Sequence, residues 1–99
     1  MVYELAVLRI HEGKQAEFEA AARQAIPLFQ RAKGCSGMEI RHSVETPTEY
    51  HLIVKWATLE NHTVDFRGSE DFQSWRALVG PFFAQPPEVQ HLESTFVGF

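Results

Sequence analysis

The chain has 99 residues, 44% of them apolar and 22% charged, the balance of a globular protein rather than a disordered one. A net charge of −4 with no basic run argues against nucleic acid or an anionic membrane surface as a partner. A single cysteine, Cys35, excludes an internal disulfide and fits a reducing compartment, and no apolar run approaches the roughly 20 residues a bilayer needs. The expectation is one cytoplasmic domain over residues 1–99, with no repeat, linker or leader segment.

Residues 2–10, VYELAVLRI, are rich in β-formers and apolar on both parities, which predicts a strand buried on both faces. His11-Glu12-Gly13 reads as a turn. A long helix follows from Lys14, with Phe18, Ala22, Ala25, Phe29 and Ala32 near helical spacing. Pro27 lies inside it and predicts a kink there. Lys33-Gly34 supplies a basic last turn and a glycine stop. Residues 37–45 read as a second strand, Thr46-Pro47-Thr48 as a turn, and residues 49–56 as a third strand with Tyr50, Leu52, Val54 and Trp56 on one face.

The stretch from Lys55 to Phe83 holds both tryptophans and half of the eight phenylalanines. Thr58 is a natural N-cap for a short helix, and Leu59, His62 and Phe66 recur on its face. Gly68 suits its end. Ser69 caps a second helix, with Glu70 and Asp71 in its first turn, where carboxylates favour the helix dipole. Phe72, Trp75, Arg76, Val79 and Phe83 keep the helical period until Gly80-Pro81 breaks it. Gln85-Pro86-Pro87 restarts an extended chain, and residues 88–97 read as a fourth strand. The order is β-α-β-β-α-β with the second helix divided, a ferredoxin-like α+β fold with an antiparallel sheet. Its helices cover one face only. An apolar second face in so short a chain predicts a homodimer; a sheet with one solvated face is the single-chain alternative.

The turn before a long helix, "GCSG" at Gly34 to Gly37, the strand ending in Trp56, "LENH" at Leu59 to His62 and "GSEDFQSW" at Gly68 to Trp75 resemble the antibiotic biosynthesis monooxygenase domain family. The resemblance covers nearly the whole chain. It implies a dimeric α+β barrel and an activity drawn from cofactor-free oxygenation of polyphenols and quinols or from haem degradation. Trp56 matches a pocket-lining tryptophan of the polyketide-oxidising members, and Arg76 falls on an arginine. His62 stands where those members carry a tyrosine, and Leu52 where they carry an asparagine. Arg76 also occupies the place of the iron-binding histidine of the haem-degrading members, and Ala6 that of their first-strand asparagine. Haem degradation is therefore disfavoured.

Cofactor-free oxygenation needs a base to ionise the substrate, an apolar pocket open to oxygen, and a cation or donor for the anion. His62 is the candidate base and Arg76 the candidate anion holder. Trp56, Phe66, Phe72, Trp75 and Phe83 are candidates to enclose an aromatic ring, in a pocket between the sheet and the two short helices. Each has a plainer reading: a backbone-bonded histidine, a surface arginine, core aromatics. His42, His51 and His91 lie on strands without metal-like spacing, and Cys35 reads as a small packed side chain. No glycine-rich phosphate loop, nucleophile elbow or zinc spacing occurs, so no metal, flavin or haem is expected. The leading reading is a cofactor-independent monooxygenase using molecular oxygen on a small aromatic quinol or polyphenol. The alternatives are a non-catalytic small-ligand-binding or stress-related dimer, and an isomerase or decarboxylase of a small cyclic metabolite.

Overall fold

A computed structural model describes residues Met1–Phe99. The elements are β1 (Val2–Arg9), α1 (Gln15–Gln24), α2 (Ile26–Gln30), β2 (Cys35–His42), β3 (Glu49–Trp56), a π-helical turn (Asn61–Phe66), α3 (Glu70–Val79), a 3-10 turn (Gly80–Phe82) and β4 (Glu88–Leu92). Four antiparallel strands form one open sheet in the order β2-β3-β1-β4. This is the ferredoxin-like α+β arrangement.

Strand register decides which side chains meet the helices. Val2 pairs with Trp56, Glu4 with Val54, Ala6 with Leu52 and Leu8 with Tyr50. Because side chains alternate along a strand, Glu4, Ala6, Leu8 and Ile10 share a face with Tyr50, Leu52, Val54 and Trp56, and all of them are buried. Phe18, Ala22, Leu28, Phe29, Phe66, Trp75 and Val79 close over that face. Phe29 ties the layers together, with its ring 5.1 Å from both Phe66 and Trp75, edge-on to the latter. A bidentate Arg31–Asp71 pair with both contacts at 2.7 Å joins α2 to the start of α3.

The opposite face differs from the expectation of a strand buried on both sides. Tyr3, Leu5 and Val7 of β1 are only half-buried there, beside Ile53. Charged pairs flank this apolar strip: Arg9 with Glu88 at 2.8 Å, His51 with Glu49 at 3.1 Å, and Arg41 with Glu39 at 3.1 Å. No helix of the chain is long and apolar enough to cross a membrane.

Four boundaries depart from the sequence reading, each for a physical reason. The long helix is two helices, divided at Ala25, with Pro27 in the first turn of α2. A proline there lacks only an N–H that would be unpaired anyway, so the chain breaks ahead of it instead of kinking at it. Strand β2 runs from Cys35 to His42, starting two residues before and ending three residues before the expected bounds, with an irregularity between Cys35 and Gly37. Strand β4 stops at Leu92, opposite Tyr3, one residue short of the start of β1; residues 93–99 are exposed. The first short helix is π-helical, closed by the Arg67 N–H on the His62 carbonyl at 3.1 Å. Its wider turn sets His62 and Phe66 inward and leaves Leu59 exposed, off the face its spacing predicted. Ser69 caps α3 as expected, accepting from the Phe72 N–H.

Gly34 and Asn61 fix the position of the π-helical turn. Thr58 and Asn61 cap each other, each backbone N–H donating to the other's side-chain oxygen at 3.1 Å. Asn61 Nδ2 also donates to Asp65. Gly34, at φ 78°, lies against this cap and accepts from the Ala57 N–H at 2.8 Å. A Cβ on Gly34 would run into the Asn61 amide, whereas Gly13, at φ 84°, has open space around it. Both Gly→Ala substitutions should lose roughly 1–2 kcal/mol to the left-handed backbone. Gly34→Ala should lose measurably more, because Asn61 must also shift. Equal urea midpoints for the two variants would contradict this.

Candidate active site

Four elements converge on one carboxyl group. Glu4 lies on the inward face of β1, opposite His91 of β4. Trp56, at the end of β3, donates its indole N–H to Glu4 Oε1 at 3.1 Å. His62, on the π-helical turn, places Nε2 3.2 Å from the same oxygen. Its other nitrogen, Nδ1, lies 2.8 Å from His91 Nε2. The imidazole of His62 stacks on the Trp56 indole at 5.3 Å and 14°. Glu4 is 5% exposed and His62 2%. The result is a continuous chain of groups, Trp56–Glu4–His62–His91, that crosses the sheet.

Burial and charge set the protonation of this chain. Desolvation raises the Glu4 pKa to about 7, against the Trp56 hydrogen bond and the nearby Arg67, which favour the carboxylate. Desolvation, Arg67 and His91 lower the His62 pKa to about 4, so its ring is neutral near pH 7. His91 is lowered by burial and by Arg67. Both nitrogens of His62 are already engaged, so it presents no free lone pair to a ligand. The carboxyl of Glu4 lines the adjoining cleft and titrates near neutrality, which is where a general base works best.

The cleft has a volume of about 620 Å³. Glu4, Ala6, Leu8, Leu52 and Val89 form its sheet wall. His62, Arg67, Phe72, Trp75 and Arg76 form its helical wall, and residues from Gly80 to Pro87 close the side. Arg76 is exposed, with its guanidinium carbon 5.9 Å from the centre of the Phe72 ring. Neither Arg67 nor Arg76 forms a salt bridge.

Of the residues singled out from sequence, His62, Phe72, Trp75, Arg76 and Phe83 line this cleft. Trp56 and Phe66 do not. Trp56 is wholly buried beneath His62, and Phe66 packs between Trp56 and Phe72 at 5.4 and 5.7 Å. Their position is that of a backing layer for His62. Sequence reasoning missed Glu4, Arg67 and His91. One signal was available: Glu4 is the only charged residue on the parity of Ala6, Leu8 and Ile10. His42 and His51 pair with Tyr50 and Arg41 and so face opposite sides of the sheet. No group of three or more His, Cys, Asp or Glu residues is placed to hold a metal. Cys35 is half-buried, its thiol pKa pushed up by burial. A smaller cavity of about 300 Å³ between α1 and β2 contains a Tyr50 hydroxyl that already donates to Glu19 at 2.6 Å.

Fold and site together define an α+β protein with an apolar cleft over a buried carboxyl–imidazole pair. The model for the antibiotic biosynthesis monooxygenases matches residues 1–78, and the chain belongs to that family. YczJ of Bacillus subtilis (strain 168), an uncharacterized protein, is 43% identical over 93 residues, covering 94% of this chain and 98% of its own. The crystal structure of a Bordetella bronchiseptica protein assigned to the antibiotic biosynthesis monooxygenases matches with a TM-score of 0.94 and 48% identity, over 96% and 97% of the two chains. SnoaB, a cofactor-independent oxygenase from Streptomyces nogalater, matches with a TM-score of 0.84 over 98% and 95% of the chains. At 14% identity that likeness concerns the fold alone.

The Glu4–His62 pair has a definite pH signature. The folded pKa of Glu4 lies above its ordinary 4.5, so its contribution to stability is complete below 4.5 and lost as pH rises through about 7. The folded pKa of His62 lies below its ordinary 6.5, so its contribution is present above 6.5 and lost as pH falls toward about 4. Between these ordinary values the unfolded pair holds one proton on His62, and the folded pair holds one proton on Glu4. The two slopes cancel. Glu4→Gln removes one of them, and the variant should lose up to about 1.4 kcal/mol per pH unit on acidification relative to wild type. Parallel stability–pH curves for the two proteins would refute this assignment.

Proposed function

We propose that the protein is a cofactor-independent monooxygenase acting on a small aromatic hydroquinone or polyphenol. The observation that supports it best is a carboxyl of near-neutral pKa on the wall of an apolar cleft that also carries two unpaired guanidinium groups. Glu4 accepts the substrate's hydroxyl proton, and His62 and Trp56 hold its other oxygen in place. Arg67 and Arg76 favour the resulting anion, which reduces oxygen far more readily than the neutral phenol does. A ring carbon then forms a bond to one oxygen atom and the O–O bond breaks. The second oxygen leaves as water with the ring hydrogen and the proton held by Glu4, and the ring becomes a quinone. Phe72, Trp75 and Phe83 enclose the ring. In this reading His62 positions the base, a change from the direct role its sequence position implied, because both its nitrogens are occupied.

The test is oxygen uptake by the purified protein with a panel of hydroquinones, alongside metal and haem analysis. Wild type should turn over at least one of them, with a rate that rises as Glu4 ionises through about pH 7. Glu4→Gln should slow turnover by roughly 10²- to 10⁴-fold, the usual weight of general-base catalysis. Thermal stabilisation by these compounds without oxygen uptake or product would instead favour a ligand-binding protein.

The same reading includes a homodimer joined through the open sheet face, where Leu5, Val7 and Ile53 form an apolar strip between charged pairs. An obligate interface of this kind buries above about 2,000 Å² in total. Light scattering at micromolar concentration should give twice the chain mass, and Ile53→Lys should give the monomer. A wild-type monomer would exclude this arrangement.

A further inference from the structure

Two arginines at one concavity stand out in a chain of net charge −4. Arg9, Arg31 and Arg41 are each paired with a carboxylate; Arg23, Arg67 and Arg76 are not, and of these three Arg67 and Arg76 share the cleft. The cleft's one carboxyl, Glu4, is committed to Trp56 and His62. Both are exposed, and a neutral ligand filling this space would take part of their water and return only hydrogen bonds to neutral acceptors. An anionic ligand replaces that water with charge-assisted hydrogen bonds.

The two arginines occupy different ends of the site. Arg67 ends the π-helical turn that carries His62, its backbone N–H donating to the His62 carbonyl at 3.1 Å, and it lines the cleft with Glu4, so it belongs to the end where a hydroxyl would ionise. Arg76 projects from α3 over the Phe72 ring, exposed to water on its other side. A guanidinium beside an aromatic wall presents a planar fork, the geometry that grips a carboxylate with two bonds. An anion bound there keeps one side hydrated, while the ring it carries enters the apolar part of the cleft.

We infer that the ligand of this cleft is an aromatic hydroxy acid, with its ring hydroxyl toward Glu4 and Arg67 and its carboxylate on Arg76. The inference rests on reading the cleft as a site for a hydroxylated ring, but not on turnover.

Binding is measured calorimetrically under nitrogen, so that oxygenation plays no part. The probes are gentisate and a dihydroxynaphthoate, each set against its neutral carboxamide. At least one acid should bind roughly tenfold or more tightly than its carboxamide, the weight of a hydrogen bond to a charged group. Arg76→Gln should abolish that preference while changing carboxamide binding less than about threefold, and Arg76→Lys should restore part of it. Arg76 is exposed, so these variants should keep the wild-type circular dichroism. Equal affinities for acid and carboxamide, a preference that survives Arg76→Gln, or no binding of either acid at millimolar concentration would each overturn the inference. Oxygen uptake is then measured separately with the acid that binds. Binding without uptake would fail the oxygenase reading and leave this one standing, and uptake with neutral quinols alone would do the reverse.

Discussion

A carboxyl group buried beside the centre of a sheet is unfavourable unless its oxygens are occupied, and here the solution shapes the molecule around it. Glu4 is accommodated because β3 ends with an indole N–H beside it and the following turn brings an imidazole to the same oxygen. The pairing also fixes register. A slip of β1 by one residue would carry Glu4 to the open face, put Leu5 against the helices and leave the Trp56 N–H and His62 without their acceptor. The polar contacts thus specify an arrangement that apolar packing alone would hold less strictly. They do so while keeping only one proton between the two groups over much of the acidic range.

That pair relies in turn on a backbone detail some distance away. His62 sits in a π-helical turn, and the turn is held by the mutual cap of Thr58 and Asn61 against Gly34. A side chain at Gly34 would disturb Asn61, and Asn61 is the residue just before His62. The "GCSG" and "LENH" stretches are separated in sequence, but they form one structural joint. Trp56 completes it from below, stacked on the imidazole and donating to Glu4. Its role in this chain is that of a floor under the polar chain rather than a wall facing a ligand.

The order of elements was legible because two signals agreed: period-two alternation in β3 and helical spacing around caps such as Ser69. The π-helical turn was not legible. Its extra residue per turn leaves no mark in composition, and the ordinary helical period placed Leu59 on a face it does not share. Strand β4 was read too long because Phe96 and Val97 continue its apolar character, whereas pairing with β1 ends at Leu92 and those two residues are exposed. Within the site, His62 and Arg76 were visible as polar groups beside aromatics. Glu4 was concealed by the general apolarity of β1, and His91 by its place on an edge strand. Their meeting depends on the pairing of Glu4 with His91, a fact of topology rather than of local pattern.

Strand β1 lies in the interior of the sheet, yet both of its neighbours follow it in the chain. Its contacts are therefore long-range from the outset, with Val2 opposite Trp56 and Tyr3 opposite Leu92. Loops of that span close slowly, and topologies dominated by them fold later than local ones. On the ribosome, Glu4 emerges well before the indole, the imidazole and the edge strand that will enclose it. Until they arrive it is a hydrated carboxylate, ionised near pH 7 as its ordinary value of 4.5 requires. Its shift toward neutrality therefore arises only once the later strands have closed around it.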